Sequence, residues 1–428
     1  MKALTKISIG FLSLAAVALG FTSCSSEDVA SGTNQGKMSS LTLTINTGKS
    51  MGSRATDWIT TDPGADKTTT ENKINRAAIG IFSSDGTVRT IVELTPSTTG
   101  TNSLTQENAN NATAKIVTSS LVNNDEVLVA INAPTGTFTG CQNKTAFMEK
   151  TETAAEALAN YDQTSLPDPT TQVANNIPMF GSATLSSTDG SSFNASVSVI
   201  HMIAKVSLTS LKVDFKAGSA YADAEFTPKA VFLINVPNSL QFDNNAWRSA
   251  GYEHGWGAFG TDNAYDANTE NSSAAATFTS TNPTFKKYLT TSALTDKKLS
   301  GVDEESNTDA SYDKSVFFYT MPNGQADNNA TKLVIAGLFT SAKAGITNKV
   351  VYYPLFLNAT VNNGGTGYNP AVAGSDAKKV YPNKNYDCRV VIRTIGAGSP
   401  NTDLTPQAAS ITITVKDFDP ATQNTEFN

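Results

Sequence analysis

The last twenty residues, 409–428, constrain this chain more than any other stretch. Ile411, Ile413 and Val415 alternate there with Thr412, Thr414 and Lys416. A period of two marks a strand with one buried face. A chain end this apolar and β-prone needs a sheet to join. Near the other end, Leu41, Leu43 and Ile45 alternate with Thr42, Thr44 and Asn46 in almost the same pattern. Two segments with equivalent faces can fill one groove at different times.

The length of 428 residues is enough for two domains of common size. Charged residues make up only 16%, below the usual quarter, which favours β-structure with polar loops over helical bundles. The formal net charge is −7 and no basic cluster appears, which argues against nucleic acid as a partner. Two histidines and three cysteines are poor material for a metal site or imidazole catalysis, so neither cofactor nor enzymatic activity is expected.

The N-terminus accounts for one cysteine. Lys2 and Lys6 form a positive n-region, residues 7–20 are apolar or small, and Phe21-Thr22-Ser23-Cys24 follows. That layout is a secretory signal, too short for a stable transmembrane helix. A Cys directly after the apolar run resembles a bacterial lipoprotein signal, with Cys24 as the lipidated residue. Ser25-Ser26-Glu27-Asp28 resembles the acidic surface-export tag of some Gram-negative lipoproteins. Cys141 and Cys388 are left as a disulfide or as two buried thiols.

After the strand at 41–45, the segment Gly48-Lys49-Ser50-Met51-Gly52-Ser53-Arg54-Ala55 is small and polar, the kind of exposed loop that proteases cut. Arg54-Ala55 suits an Arg-specific protease. Ala77, Ile79 and Ile81 followed by Ser84-Asp85-Gly86 and a return strand at 88–94 predict a hairpin. Strands are expected at 115–121, 126–132, 195–200 and 203–208. A helix is expected over 147–161, where Met148, Ala155, Leu158 and Ala159 share a face. In the second half, strands are expected at 230–236 (ended by Pro237), 315–319, 332–339, 350–357 and 386–395. Pro354 marks an edge or a bulge. Residues 244–281 read as loops, and 396–408 as a Gly/Pro/Asn leash leading into the terminal strand.

At this point the chain resembles the fimbrillins, shaft subunits of type V pili on anaerobic Gram-negative bacteria. The resemblance rests on the signal at Cys24, Met51-Gly52-Ser53-Arg54-Ala55, and Val199-Ile200-His201-Met202-Ile203-Ala204-Lys205-Val206. It also rests on Phe318-Tyr319-Thr320-Met321-Pro322-Asn323, Asn383-Lys384-Asn385-Tyr386, and the ending Val415-Lys416-Asp417-Phe418 to Glu426-Phe427. Phe418 stands where the family often has Trp.

The resemblance implies a mainly β chain of two antiparallel, transthyretin-like β-sandwich domains with a short helix in the first. Its parts would be a signal at 1–24, a propeptide at 25–54, domains at 55–193 and 194–408, and a donor strand at 409–428. It implies a lipoprotein precursor held in the outer membrane, cleaved after Arg54 and assembled into an extracellular fimbrium. Cleavage would release Leu41, Leu43 and Ile45. The next subunit would fill the groove with Ile411, Ile413 and Val415, and with Phe418 and Phe427 beyond the Pro420 break. Partners would be other copies in a head-to-tail polymer, anchor and tip subunits, and the protease. Residues 1–54 carry five Lys/Arg and two Asp/Glu, so cleavage takes the net charge from −7 to −10.

Two other functions stay open. One is a glycan-binding surface lipoprotein, with Trp247, Tyr252 and His254 as a sugar-stacking loop. The other is an anchor or tip subunit of the same pilus. His201, inside a strand-like run, is expected to be a satisfied core or edge residue. Asp303-Glu304-Glu305 is expected to be a solvated loop.

Overall fold

The computed structural model describes residues 38–47, 71–108, 110–158, 176–243, 248–272, 278, 283–291, 294, 296–304, 306–312, 316–361, 368–372, 374–404 and 409–417. Cys24, Arg54, Ala55, Phe418 and Phe427 lie outside them.

The first half forms two facing sheets. Its strands are β1 (Met38–Asn46), β2 (Ala77–Phe82), β3 (Val88–Leu94), β4 (Ser103–Asn108), β5 (Asn111–Ser119) and β6 (Glu126–Ile131). After a short β7 (Thr151–Thr153) come β8 (Met179–Thr184), β9 (Ser192–Ser198) and β10 (Ile200–His201). One sheet has the order β4-β5-β1-β9, the other β10-β8-β6-β2-β3. Alternation decides the facing surfaces. Leu41, Leu43, Ile45, Ala114 and Ile116 pack against Ala77, Ile79, Ile81, Val127 and Val129. The other face of the second sheet is buried too. Ala78, Phe82, Leu128 and Phe180 join a larger core that continues into the second half.

The expected single helix is two five-residue helices, α1 (Lys144–Met148) and α2 (Ala154–Leu158), interrupted by β7. A local cap and a distant pairing break it. Glu156 accepts from the Thr153 backbone N–H at 2.9 Å, while the Thr153 hydroxyl accepts from the Glu156 N–H at 3.3 Å. This reciprocal cap starts α2 afresh. Residues 151–153 pair instead with a strand of the second half.

The second half begins with β11 (Ala204–Val213), β12 (Glu225–Ile234), β13 (Val236–Gln241) and β14 (Arg248–His254). Short strands follow: β15 (Gly257–Phe259), β16 (Tyr265–Glu270), β17 (Thr284–Phe285), β18 (Thr290–Thr291), β19 (Leu299–Ser300) and β20 (Ser311–Tyr312). Then come β21 (Val316–Thr320), β22 (Lys332–Ser341), β23 (Ile346–Phe356), β24 (Thr360–Val361), β25 (Tyr368–Asn369), β26 (Lys384–Ile392) and β27 (Ala409–Asp417). One main sheet has the order β20-β11-β26-β27, with β21 also on β11. The other has the order β18-β12-β22-β23, with β19 also on β12. Val206, Leu208, Tyr386, Cys388 and Val390 face Phe226, Val231, Leu233, Ile335 and Tyr353 between them.

Three sequence expectations change. The strand β12 ends at Ile234, before Asn235, whose φ of 58° breaks the extended run, and Pro237 lies inside β13 rather than ending a strand. Residues 248–270 are not loops: β14 pairs with β13, and Trp256, Phe259 of β15 and Tyr265 of β16 cover the outer face of the β12–β22–β23 sheet. The strand β9 pairs with β1, so the expected boundary at 193/194 falls within a strand of the first sandwich. Both sandwiches are mainly antiparallel, yet β1–β9 and β11–β26 run parallel. Cys141 and Cys388 are both buried free thiols. Burial pushes the Cys388 thiol well above its ordinary pKa.

Candidate functional site

The strand β1 is interior to its sheet. It runs antiparallel to β5, from Met38 opposite Ser119 to Asn46 opposite Asn111, and parallel to β9, from Ser40 opposite Ser192 to Asn46 opposite Ser198. Its exposure alternates strictly, and Leu41, Leu43 and Ile45 are no more than 1% exposed. Burying three such side chains contributes about 2 kcal/mol each. Backbone bonds fix both ends. The Ser40 N–H donates to the Ser191 carbonyl, and the Val199 N–H to the Asn46 carbonyl, both at 2.9 Å.

The sheet order shows what β1 holds together. Without β1, the β4–β5 hairpin and β9 have no contact through the ladder, and the core between the sheets opens along one trough. The middle of that trough is wide, because Leu43 sits between Ala114 and Ala195. A replacement must be extended, must carry aliphatic residues at every second position, and must supply bonds to both neighbouring strands.

The terminal strand β27 has that form. At home it is an edge strand of the second sandwich, antiparallel to β26, with Ile411 opposite Val390, Ile413 opposite Cys388 and Val415 opposite Tyr386. Ala409 and Ile413 are buried, and Thr412 is exposed. The structure therefore does not bring the first and last strands together. They lie in different sheets, and the last strand has a place of its own.

Sequence reasoning missed two features. The first is the start of the leash, which is anchored. The Tyr353 hydroxyl donates to the Thr394 carbonyl at 2.9 Å, Tyr352 and Ala397 exchange two backbone bonds, and Lys332 Nζ reaches Asp403 at 2.7 Å and the Asn401 carbonyl at 3.3 Å. Gly396 permits the approach, since a Cβ there would lie 2.6 Å from the Tyr352 carbonyl oxygen. Burial lowers the Lys332 pKa against the pull of Asp403.

The second is a buried polar joint. Glu71 Oε1 holds Lys205 Nζ at 3.1 Å and accepts from the Tyr319 hydroxyl at 2.5 Å. The His201 ring lies 3.2 Å from the Glu71 carbonyl and 3.3 Å from the Asn383 side-chain oxygen. Burial lowers the His201 pKa against the pull of Glu71 and Asn383. His201 is thus a satisfied core histidine. Neither feature has a periodic sequence signal.

Of the aromatic stretch, His254 and Trp256 pack inward, and Trp247 lies outside the described residues. His254 is fully buried, its Nδ1 accepts from the Trp256 N–H at 3.1 Å, and its Nε2 faces Glu270 at 3.2 Å. The Trp256 indole N–H donates to the Tyr352 hydroxyl at 3.2 Å, with Phe278 against both rings of His254 and Trp256. Among the described residues, no group of three His, Cys, Asp or Glu side chains converges as metal ligands do.

No protein-family model matches the chain, and no curated protein sequence matches it. Solved structures do. A candidate cell adhesion protein from Bacteroides eggerthii DSM 20697 aligns over 92% of this chain and 100% of its own, with a TM-score of 0.55 and 19% identity. Another, from Parabacteroides distasonis ATCC 8503, aligns over 90% and 100%, with a TM-score of 0.54 and 15% identity. A fimbrilin from Porphyromonas gingivalis W83 aligns over 90% and 99%, with a TM-score of 0.53 and 14% identity. The chain shares the fold of these proteins along nearly its whole length.

Proposed function

We propose that this chain is a structural subunit of a surface fimbrium that serves adhesion, and that it polymerises by exchanging its first strand for the last strand of another copy. The observation that carries this is the interior place of β1. The segment that follows it contains Arg54, and the strand itself matches β27 in kind. Over eight residues, Ser39 to Asn46 correspond to Ala409 to Lys416, with Ser40, Thr42 and Thr44 matched by Ser410, Thr412 and Thr414.

The physics supplies a direction. While β1 is part of the chain, its high effective concentration excludes any competing strand. Cleavage after Arg54 removes that advantage, and a second copy then offers an equivalent set of aliphatics and backbone bonds. Each trough position is refilled like for like, and dilution of the freed segment drives the exchange against the loss of the β27–β26 pairing. A stalk subunit is favoured over an anchor or a tip because the chain has both a removable first strand and a donor-like end. The lipid on Cys24 would hold the precursor at the outer membrane until cleavage.

The test is treatment of the purified precursor with an Arg-specific protease. A new N-terminus at Ala55, together with ladders on an unboiled denaturing gel, is the expected result. If Arg54→Ala assembles normally, cleavage there is not the trigger. Removing residues 410–428 should leave a folded monomer that accepts a strand and cannot donate one.

A further inference from the structure

The segment between β26 and β27 has two parts that differ in what holds them. Residues 394–404 leave the β26 sheet, lie along the outer edge of β23 on the opposite sheet, and return. Their attachments are the Tyr353–Thr394 bond at 2.9 Å, the paired Tyr352–Ala397 bonds at 2.8 and 2.9 Å, and the two bonds of Lys332. Pro400 is buried, and Ile395 and Leu404 pack partly against the core. The strand β27, by contrast, holds to β26 alone in its sheet.

We propose that residues 394–404 are a strap that stays on the body when β27 leaves, with Lys332 as the positioning residue at the strap's end. This rests on the strand-exchange function proposed above. The two parts fare differently on exchange. Whatever β27 gives up on β26, a second copy's trough returns: a ladder on both sides and pockets for aliphatics. Nothing in that trough replaces the acceptors of Lys332. Its side chain is 2% exposed, and its ammonium would be left a buried charge without Asp403 or the Asn401 carbonyl. Orphaning a buried charge is strongly unfavourable. Release of the strap would also bare the β23 edge, whose Tyr352 N–H and carbonyl now pair with Ala397.

The exchanging element therefore begins after Leu404. Four residues lie between Leu404 and Ala409, so five steps give a reach of about 17 Å when extended. Two subunits must dock so that the trough of one opens within that distance of the strap's end on the other. The strap makes the donor a short, rooted arm.

Hydrogen exchange followed by mass spectrometry tests this on the intact precursor and on polymer grown from it with an Arg-specific protease. Strap peptides covering 394–404 should keep their protection on polymerisation, while β26 peptides lose it along the edge that β27 vacates. If the strap loses protection together with β26, the strap proposal is overturned and strand exchange stands. If β26 keeps its protection in the polymer, β27 never left, and both proposals fall. Lys332→Met should speed exchange in the strap about tenfold, without change in β12. Asp403→Asn alters a half-exposed partner and guards against a misfolded Lys332 variant; it should speed strap exchange in the same direction. Unchanged strap exchange in both variants would remove Lys332 from the role.

Discussion

Cys388 on β26 and Ile413 on β27 are direct cross-strand partners, and both are buried. Antiparallel partners place their Cα atoms about 4.5–5.5 Å apart, within the range a disulfide spans. Ile413→Cys therefore offers the native Cys388 a partner. Under oxidation the terminal strand should be locked at home, and processed subunits should stay monomeric. Reductant should restore the ladders. Polymerisation of the fully oxidised variant, with the bond verified by peptide mapping, would show that β27 need not leave β26.

Leu43 sits at the middle of the β1 trough. Leu43→Ala should destabilise the precursor by about 2–5 kcal/mol, the usual cost of emptying a buried leucine site. It should leave the assembled polymer as stable as wild type, because the altered strand has gone. Thermal or denaturant unfolding of the two forms gives the comparison. An equal loss in both would mean that β1 is retained.

His254 gives a pH dependence with a definite sign. Burial pushes its pKa down to about 4, against 6.5 for a free imidazole. Between those values the unfolded chain binds the proton and the folded chain does not, so stability falls as pH drops from about 6.5 to 4. The full effect is about 3 kcal/mol. Denaturant midpoints should fall across that window in wild type and less in His254→Gln. Identical slopes would place the titration elsewhere.

Glu152 on β7 is 1% exposed, and neither of its carboxyl oxygens has a partner. Burial, then repulsion from Glu156, raises its pKa well above the ordinary value, against the pull of Arg76. Here the unfolded chain loses its proton first, so stability falls as pH rises above about 4.5. Glu152→Leu should stabilise the protein at pH 7 by about 1–3 kcal/mol, and by less below pH 4.5. A destabilised variant would point to an unseen partner for the carboxyl.

The strands that were legible in the sequence are those whose packing writes itself as alternation or as a long apolar run. Leu41 to Ile45, Val127 to Ile131 and Leu333 to Phe339 are of this kind, and so is the hairpin at Ala77. What was not legible depends on partners far away in sequence. The expected helix breaks because Glu152 pairs with Leu240 in the ladder, a contact with no local period. Residues 396–408 read as a leash because of their Gly, Pro and Asn, and the side chains that hold its first part down, Lys332, Tyr352 and Tyr353, are distant in sequence. The candidate trough could be named by its occupant, Leu41, Leu43 and Ile45. Its walls, β5 and β9, could not be paired with β1 from sequence alone. The home position of β27 on β26 was likewise hidden, because an edge strand and a donor strand share one pattern.

The Glu71–Lys205 joint has a mechanical meaning in a filament. Each subunit would be pulled at its trough in the first sandwich and at its strap in the second. Part of the load would then cross the contact where Glu71 grips Lys205 and Tyr319, beside the apolar core that the two halves share. A buried charge pair is costly to pull apart, so this joint would add to the stiffness of the fibre. Lys205→Met filaments should show a shorter persistence length in electron micrographs than wild type; an unchanged length would assign that stiffness to the surrounding apolar packing.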